Sequence, residues 1–332
     1  STVDEKIDYL RRCHAGGIKA LCMHCRGGNL VPYGSEDWFQ MIRELVKEGA
    51  KLEMDMWLYD EDPFPSGAAG GVVMAERPDL RAQRMRLLEP PADISFRDPW
   101  QISEGPVLWA GFVPEEGGAP ARDLTDRVGV LRTDWFAGPW DSRYYYEETP
   151  VHPCPRGAAV RPMYAMTMPE VPEGHRLVAI ATEFAGVEGP WGTLPDLLQR
   201  ETFELFKERT LEPYARVVGE YFGNTVPGIF TDEPKAHGGL PVTRDLMKEF
   251  HEEYGYDLRK QLYRLFGKPH GDEDIRTRLD YRELVGSRFR EAFMAPYREW
   301  CDRHDLHLVG HISPEDDPMA EALHIGSFMP RM

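Results

Sequence analysis

Between residues 4 and 59 the chain alternates helical and strand periodicities, and that order leaves few folds open. Residues 4–14 place Ile7, Leu10 and Cys13 on one side of a short helix, and Gly16-Gly17 stops it. Residues 18–24 read as a buried strand, and Gly27-Gly28 opens a loop that reaches Ser35. Residues 36–48 turn Phe39, Ile42, Leu45 and Val46 inward on a second helix. Gly49 ends that helix, and residues 52–59 return as a second strand. A strand joined to the next strand through a helix pairs with it in parallel, because the crossover carries the chain back to the starting edge.

After Arg84 the rhythm breaks. Pro and Gly become frequent and short β-type runs occupy residues 106–113, 128–133, 142–147 and 160–167, which predicts a β-rich insertion. Residues 176–184 form a strand that either closes the insertion or rejoins the parallel sheet. Helical patterns return at 195–221, 243–265 and 274–304, the last carrying Leu279, Leu284, Phe289, Phe293 and Trp300. Strand patterns recur at 226–231 and 306–312. The expected fold is an α/β (β/α)8 TIM-type barrel. Residues 1–84 form its first part, 85–175 the β-rich insertion and 176–332 its continuation. About five barrel strands are countable where closure needs about eight. That predicts one further strand before Ser1 and others after Met332.

Charge narrows the partners. A net charge of -17 argues against a phosphate-binding surface, hence against nucleic acid, and for neutral or cationic small molecules. No apolar run is long enough to span a membrane. The five cysteines are scattered and give no disulfide framework, and Cys22-x-x-Cys25 reads as part of a strand rather than a zinc or redox motif. No signal peptide is visible, and a first residue of Ser1 rather than Met leaves the compartment open.

In parallel α/β barrels the reactive groups sit just past the carboxyl ends of the strands. Each strand here runs into polar residues at that point. The first meets His24 and Arg26, the second Tyr59, Asp60, Glu61 and Asp62. The strand at 226–231 meets Asp232 and Glu233, and the last meets His311, Ser313, Glu315 and Asp316. Taken singly, each has a structural reading. Asp232-Glu233-Pro234 suits a helix N-cap, Asp60-Glu61-Asp62 a solvated loop, and Glu315-Asp316-Asp317 the acidic first turn of a helix. His311 suits a satisfied core histidine. Together they describe a cleft of carboxylates, His and Arg. Glycosidic cleavage needs such a cleft: one carboxyl group donates a proton to the leaving oxygen, and another attacks or activates water. Crowded carboxylates acquire different proton affinities, which makes both roles available near neutral pH. Trp57, Tyr59, Phe64, Trp191 and Phe230 are candidates for stacking on sugar faces.

Four segments resemble one family. Trp57-Leu-Tyr-Asp-Glu-Asp-Pro-Phe-Pro-Ser-Gly-Ala-Ala-Gly-Gly71 and Gly228-Ile-Phe-Thr-Asp-Glu-Pro234 are similar to strand and loop motifs of bacterial α-L-rhamnosidase-like glycoside hydrolases. Phe250-His-Glu-Glu-Tyr-Gly-Tyr-Asp-Leu258 resembles the helix after the second motif, and Trp300-Cys301 with Gly310-His-Ile-Ser-Pro-Glu315 resembles a later strand. The likeness runs from about residue 5 to the end, apart from the β-rich insertion. It implies a catalytic barrel with β-sandwich partners in a longer parent chain. It also implies that Glu233 and Glu315 occupy the active cleft. Calcium in some relatives makes Asp60, Glu61 or Glu233 candidate Ca2+ ligands. Gly326-Ser327-Phe328-Met329 departs from the pattern, since relatives often carry an acid where Ser327 stands.

The reading that follows is an O-glycosyl hydrolase acting on an oligosaccharide or glycoside, with an α-L-rhamnoside as one candidate. Glu233 is expected as general acid and Glu315 as base or nucleophile. His24, Arg26, Tyr59, Asp60, Glu61, Ser66, Asp232 and His311 are expected to bind substrate or shape its pocket, with Ser66 and Gly67 turning the loop. Ser327 motivates a second reading, a non-catalytic sugar-binding barrel. The dense carboxylates with His24 and His311 motivate a third, a metal-dependent hydrolase or lyase.

Overall fold

The computed structural model describes residues 2–25, 30–115, 121–132, 162–186 and 191–311. Arg26, Glu315, Ser327 and the β-type run at 142–147 lie outside them. The described elements are, in chain order, α1 (Val3–Ala15), β1 (Ala20–Met23), α2 (Glu36–Lys51), β2 (Asp55–Tyr59), α3 (Val72–Glu76), β3 (Gln83–Leu88), β4 (Pro99–Ser103), β5 (Val107–Pro114), β6 (Arg122–Asp123), β7 (Gly129–Arg132), β8 (Pro162–Thr167), β9 (His175–Phe184), α4 (Arg200–Phe206), α5 (Glu212–Val218), β10 (Gly228–Asp232), β11 (Pro241–Val242), α6 (Leu246–Tyr254), α7 (Asp272–Phe289), α8 (Ala295–Arg303) and β12 (His307–His311). The chain is of mixed α/β class and divides into two compact units.

The first unit takes Ser1–Arg84, Phe184–Leu246 and Leu279–Met332. Its centre is a four-stranded sheet in the order β1-β2-β10-β12, and every pair is parallel. The expected alternation produces this sheet. Thr2 caps α1 in a reciprocal capping box with Glu5, and Ser35 caps α2 by accepting from the Trp38 N–H. Helix α2 buries Trp38, Phe39, Ile42, Leu45 and Val46. Gly49 on that helix lets Met56 of β2 approach where a side chain would collide.

Strand register sorts the side chains onto two faces. Met56, Leu58, Ile229, Thr231 and Leu308 share the face that is buried. Cys22, Trp57, Tyr59, Phe230, Asp232 and His311 share the other. The helical stretch at 195–221 is α4 and α5 joined by a π-turn at Lys207–Leu211, and that at 274–304 is α7 and α8 joined by a π-turn at Arg290–Met294. Phe203 and Phe206 meet Phe293 and Tyr297 as a ring cluster with centroid separations of 5.6–6.0 Å.

The second unit takes Met85–Glu183 and Met247–Arg278. Compared with the expected segments, it runs on to Glu183 and includes part of the stretch assigned to the barrel. The reason is β9, which pairs antiparallel with β5 over Ala181 to His175 instead of joining the parallel sheet. Strands β9, β5 and β6 are consecutive neighbours in one sheet, and β4, β8 and β7 form a second, three-stranded antiparallel one. Trp100, Ile102, Ala110, Phe112, Met166, Leu177 and Ala179 make a common core from both sheets. Four parallel strands are therefore present among the described residues where about five were expected, and β1 and β12 are the two ends of their sheet, so the described strands do not close into a barrel.

Candidate functional site

Strands β2, β10 and β12 end side by side in the first unit, and their carboxyl ends build one cluster. Register sets Phe230 beside Tyr59 and Asp232 beside His311. Neighbouring strands stand about 4.8 Å apart, so these side chains meet. The ring of Phe230 stacks on Tyr59 at 5.9 Å and meets His311 edge-on at 5.5 Å. His24, just past β1, lies over Tyr59 at 3.6 Å and donates from Nδ1 to the Cys25 carbonyl at 3.0 Å. The Tyr59 hydroxyl donates to Asp232 Oδ2 at 2.5 Å, and His311 Nε2 lies 3.6 Å from Asp232 Oδ1.

Adjacent strand residues normally point to opposite faces. Asp232 and Glu233 do not. Glu233 has φ 53°, a left-handed conformation costly for a residue with a side chain. Its N–H still donates to the His311 carbonyl at 2.9 Å, so the strand pairing persists through the turn. Oxygens of Asp232 and Glu233 and a ring nitrogen of His311 consequently lie within 4.8 Å of one another. Asp232 is almost wholly buried, whereas Glu233 and His311 are half-buried.

The carboxylates after β2 behave differently. Asp60 and Glu61 are both 0 % exposed. Asp60 follows Tyr59, so strand alternation turns it away from the cluster face. Its Oδ1 accepts from Ser66 Oγ at 2.6 Å and its Oδ2 from the Tyr297 hydroxyl at 2.9 Å. Burial pushes the Asp60 carboxyl up to about 7. Glu61 accepts five backbone N–H groups: Gly67, Ala68 and Ala69 on Oε2 at 3.0, 2.7 and 2.8 Å, and Asp62 and Gly70 on Oε1 at 3.0 and 2.5 Å. Burial pushes its carboxyl up to about 8, while those donors pull it down. Glu61 thus organises the loop at 66–71. Ser66, also 0 % exposed, faces Asp60 and the backbone of Asp232.

The structure therefore brings together His24, Tyr59, Asp232, Glu233 and His311. It sets Asp60, Glu61 and Ser66 behind them, with oxygens engaged by the protein. Arg26 and Glu315 lie outside the described residues. Among the candidate stacking rings, Phe230 and Tyr59 are in the cluster, Trp57 packs on Gly228, and Trp191 packs on Gly71. Sequence reading missed the supporting tyrosines. Tyr297 reaches Asp60, Tyr33 donates to the Asp60 carbonyl at 2.7 Å, and Tyr214 donates to the Tyr59 carbonyl at 2.9 Å. No local pattern marks them, since Tyr297 stands 237 residues from its partner.

Asp232, Glu233 and His311 supply two carboxylates and an imidazole, a donor set able to hold a divalent cation. Two carboxylates and a nitrogen suit a borderline ion such as zinc better than Ca2+, which takes about 6–8 oxygens. The oxygens of Asp60 and Glu61 accept from Ser66, Tyr297 and five backbone N–H groups, and neither residue joins that donor set. The Cys22 thiol is pushed up to about 12 by desolvation and by the nearby Asp60 and Asp232, so it stays protonated at neutral pH.

The fold has a known counterpart. It resembles a rhamnosidase from Novosphingobium sp. PP1Y, with a TM-score of 0.52. Sequence identity is 12%, and the alignment covers 97% of this chain and 46% of the rhamnosidase, so the chain spans about half of that protein's length. At that identity the likeness concerns fold alone. No protein-family model matches the sequence, and neither does any curated protein. Among the described residues, no helix is long and apolar enough to cross a membrane.

Proposed function

We propose that the carboxyl ends of β2, β10 and β12 form part of the active site of a glycoside hydrolase, with an α-L-rhamnoside as the leading substrate class. The observation that carries this reading is the left-handed turn at Glu233, which brings two adjacent carboxylates and His311 to one half-buried cluster over aromatic rings. Strain of this kind persists only where surrounding contacts hold it, and it concentrates at functional sites. Glu233, the more accessible of the two carboxylates, is assigned the proton donated to the leaving oxygen. Asp232, held by Tyr59, lies beside it and orients His311. Phe230, stacked on the buried Tyr59, is assigned as the ring that meets the sugar face, and His24 and His311 recognise sugar hydroxyls. Glu315, four positions beyond His311 in sequence, is assigned as base or nucleophile, and Arg26 as a further sugar ligand. The parallel sheet is assigned as an arc of a (β/α)8 barrel, a reading supported by the strand order and by the likeness to a rhamnosidase fold.

Hydrolysis of nitrophenyl α-L-rhamnoside by the full protein tests the assignment. Glu233→Gln should lose about 4 kcal/mol of transition-state stabilisation, roughly a thousandfold in kcat/KM. Turnover by that variant within tenfold of the wild type removes Glu233 from the role. A second reading, hydrolysis assisted by a divalent cation held by Asp232, Glu233 and His311, is favoured by their mutual 4.8 Å limit. Activity abolished by a chelator and restored by Zn2+ supports it. Activity indifferent to chelation removes it.

A further inference from the structure

We infer that Ser66 and Asp60 are positioning residues that act through the backbone of Asp232, and that they do not touch the substrate. The inference rests on the proposed role of Glu233, and it reassigns two residues whose types suggest sugar binding.

Ser66 grips Asp232 at two points. The Ser66 N–H donates to the Asp232 carbonyl at 2.7 Å, and the Asp232 N–H donates to Ser66 Oγ at 2.8 Å. One residue of a loop thereby supplies both partners that a neighbouring strand would supply at the last residue of β10. On its other edge β10 is paired to β12 as far as Asp232 opposite His311. Asp232 is thus held on both edges, and the left-handed turn at Glu233 begins at a fixed point.

The hydroxyl of Ser66 has one proton to give, and Asp60 decides where it goes. Ser66 Oγ donates to Asp60 Oδ1 at 2.6 Å, which leaves its lone pairs for the Asp232 N–H. Asp60 is fixed in turn by the Tyr297 hydroxyl on Oδ2, by Tyr33 on its carbonyl, and by its own N–H donating to the Phe230 carbonyl at 3.3 Å. The chain of contacts runs from α8 through Tyr297, Asp60 and Ser66 to the backbone beside Glu233. Neither Asp60 nor Ser66 has exposed surface through which a sugar could reach it.

A positioning role and a binding role differ in what they change. Ser66→Ala leaves the buried Asp232 N–H without an acceptor, a loss corresponding to about 5- to 150-fold in the equilibrium it controls. Hydrogen exchange of the peptide spanning 228–233, in the full protein, should therefore accelerate about tenfold or more. On nitrophenyl α-L-rhamnoside, kcat should fall about tenfold or more while KM stays within about twofold. Tyr297→Phe should shift both readouts in the same direction by a smaller factor, and it carries the test if Ser66→Ala does not fold. A rise in KM with kcat retained would show that Ser66 contacts substrate and would overturn the inference. Unchanged exchange at 228–233 in both variants would overturn it as well. The exchange measurement needs no turnover. If the wild type cleaves no glycoside, the proposed function fails, and the clamp is still decided.

Discussion

Gly310→Ala probes the strand register on which the cluster depends. Gly310 has φ 140° and stands opposite Thr231 in the pairing of β10 with β12. A Cβ there would overlap the Thr231 carbonyl oxygen and lie 2.9 Å from its carbonyl carbon. Both obstacles are backbone, so no change of rotamer relieves them. Holding an alanine in that conformation costs about 1–3 kcal/mol. Relief by parting the strands weakens neighbouring pairing, including the Glu233 N–H to the His311 carbonyl at 2.9 Å. Two such bonds contribute about 1–3 kcal/mol together. The expected local destabilisation is about 2–6 kcal/mol, an acceleration of amide exchange on the order of 30-fold to 10,000-fold. Exchange of peptides spanning 228–233 and 307–311, followed by mass spectrometry, reads it directly. Gly129→Ala is the control, because a Cβ there meets nothing within 4 Å, and its effect should stay within about 0.5 kcal/mol. Exchange at 228–233 within threefold of wild type in Gly310→Ala would refute the reasoning.

Asp60 and Glu61 also predict how stability depends on pH. Burial raises both carboxyl groups in the folded state, to about 7 and about 8, from ordinary values of about 3.9 and 4.3. The folded state therefore binds protons more tightly than the unfolded one. The contribution of the pair is complete below about pH 4 and is lost as pH rises through about 7 and 8. Urea midpoints at pH 5 and pH 8 should differ in that sense, and Asp60→Asn should reduce the difference; an unchanged slope contradicts the assignment. Glu61→Ala removes the acceptor of five N–H groups, so amides at 67–70 should lose about 2 kcal/mol or more of protection. Retained protection at 67–70 would mean that the loop is held by something else. Cys22, pushed up to about 12, should be alkylated by iodoacetamide at pH 8 at least about 100-fold more slowly than an ordinary thiol. Peptide mapping that finds Cys22 labelled as fast as free cysteine contradicts that environment.

Local features of the fold were legible in the residues because their causes are local. Helix α1 begins where Thr2 and Glu5 can cap it, and α2 begins after Ser35. Their apolar faces follow the helical period, and the parallel pairing of β1 with β2 follows from the helix between them. Glycine at 16–17 and 49 marked helix ends, although α2 continues to Lys51 and its Gly49 serves chiefly to admit Met56. The partner of β9 was not legible. An apolar strand of ten residues suits either a buried parallel sheet or an antiparallel one, and only the distant β5 settles which.

Residue types at strand ends placed these polar groups at one end of the parallel sheet but did not set which of them meet. Tyr59, Asp60, Glu61, Asp232, Glu233 and His311 stand at the carboxyl ends of β2, β10 and β12, as their places in the sequence require. Alternation turns Asp60 away, and the amides at 67–70 absorb Glu61, while a single left-handed residue returns Glu233 to the face of Asp232. The chain's own order determined helix, strand and the polar chemistry available at each strand end, since those depend on neighbours within a few positions. Which carboxylates converge, and which are consumed as scaffolding, was decided by tertiary structure. Strand register, one backbone dihedral angle and a tyrosine 237 residues away set those outcomes, and a short stretch of sequence encodes none of them.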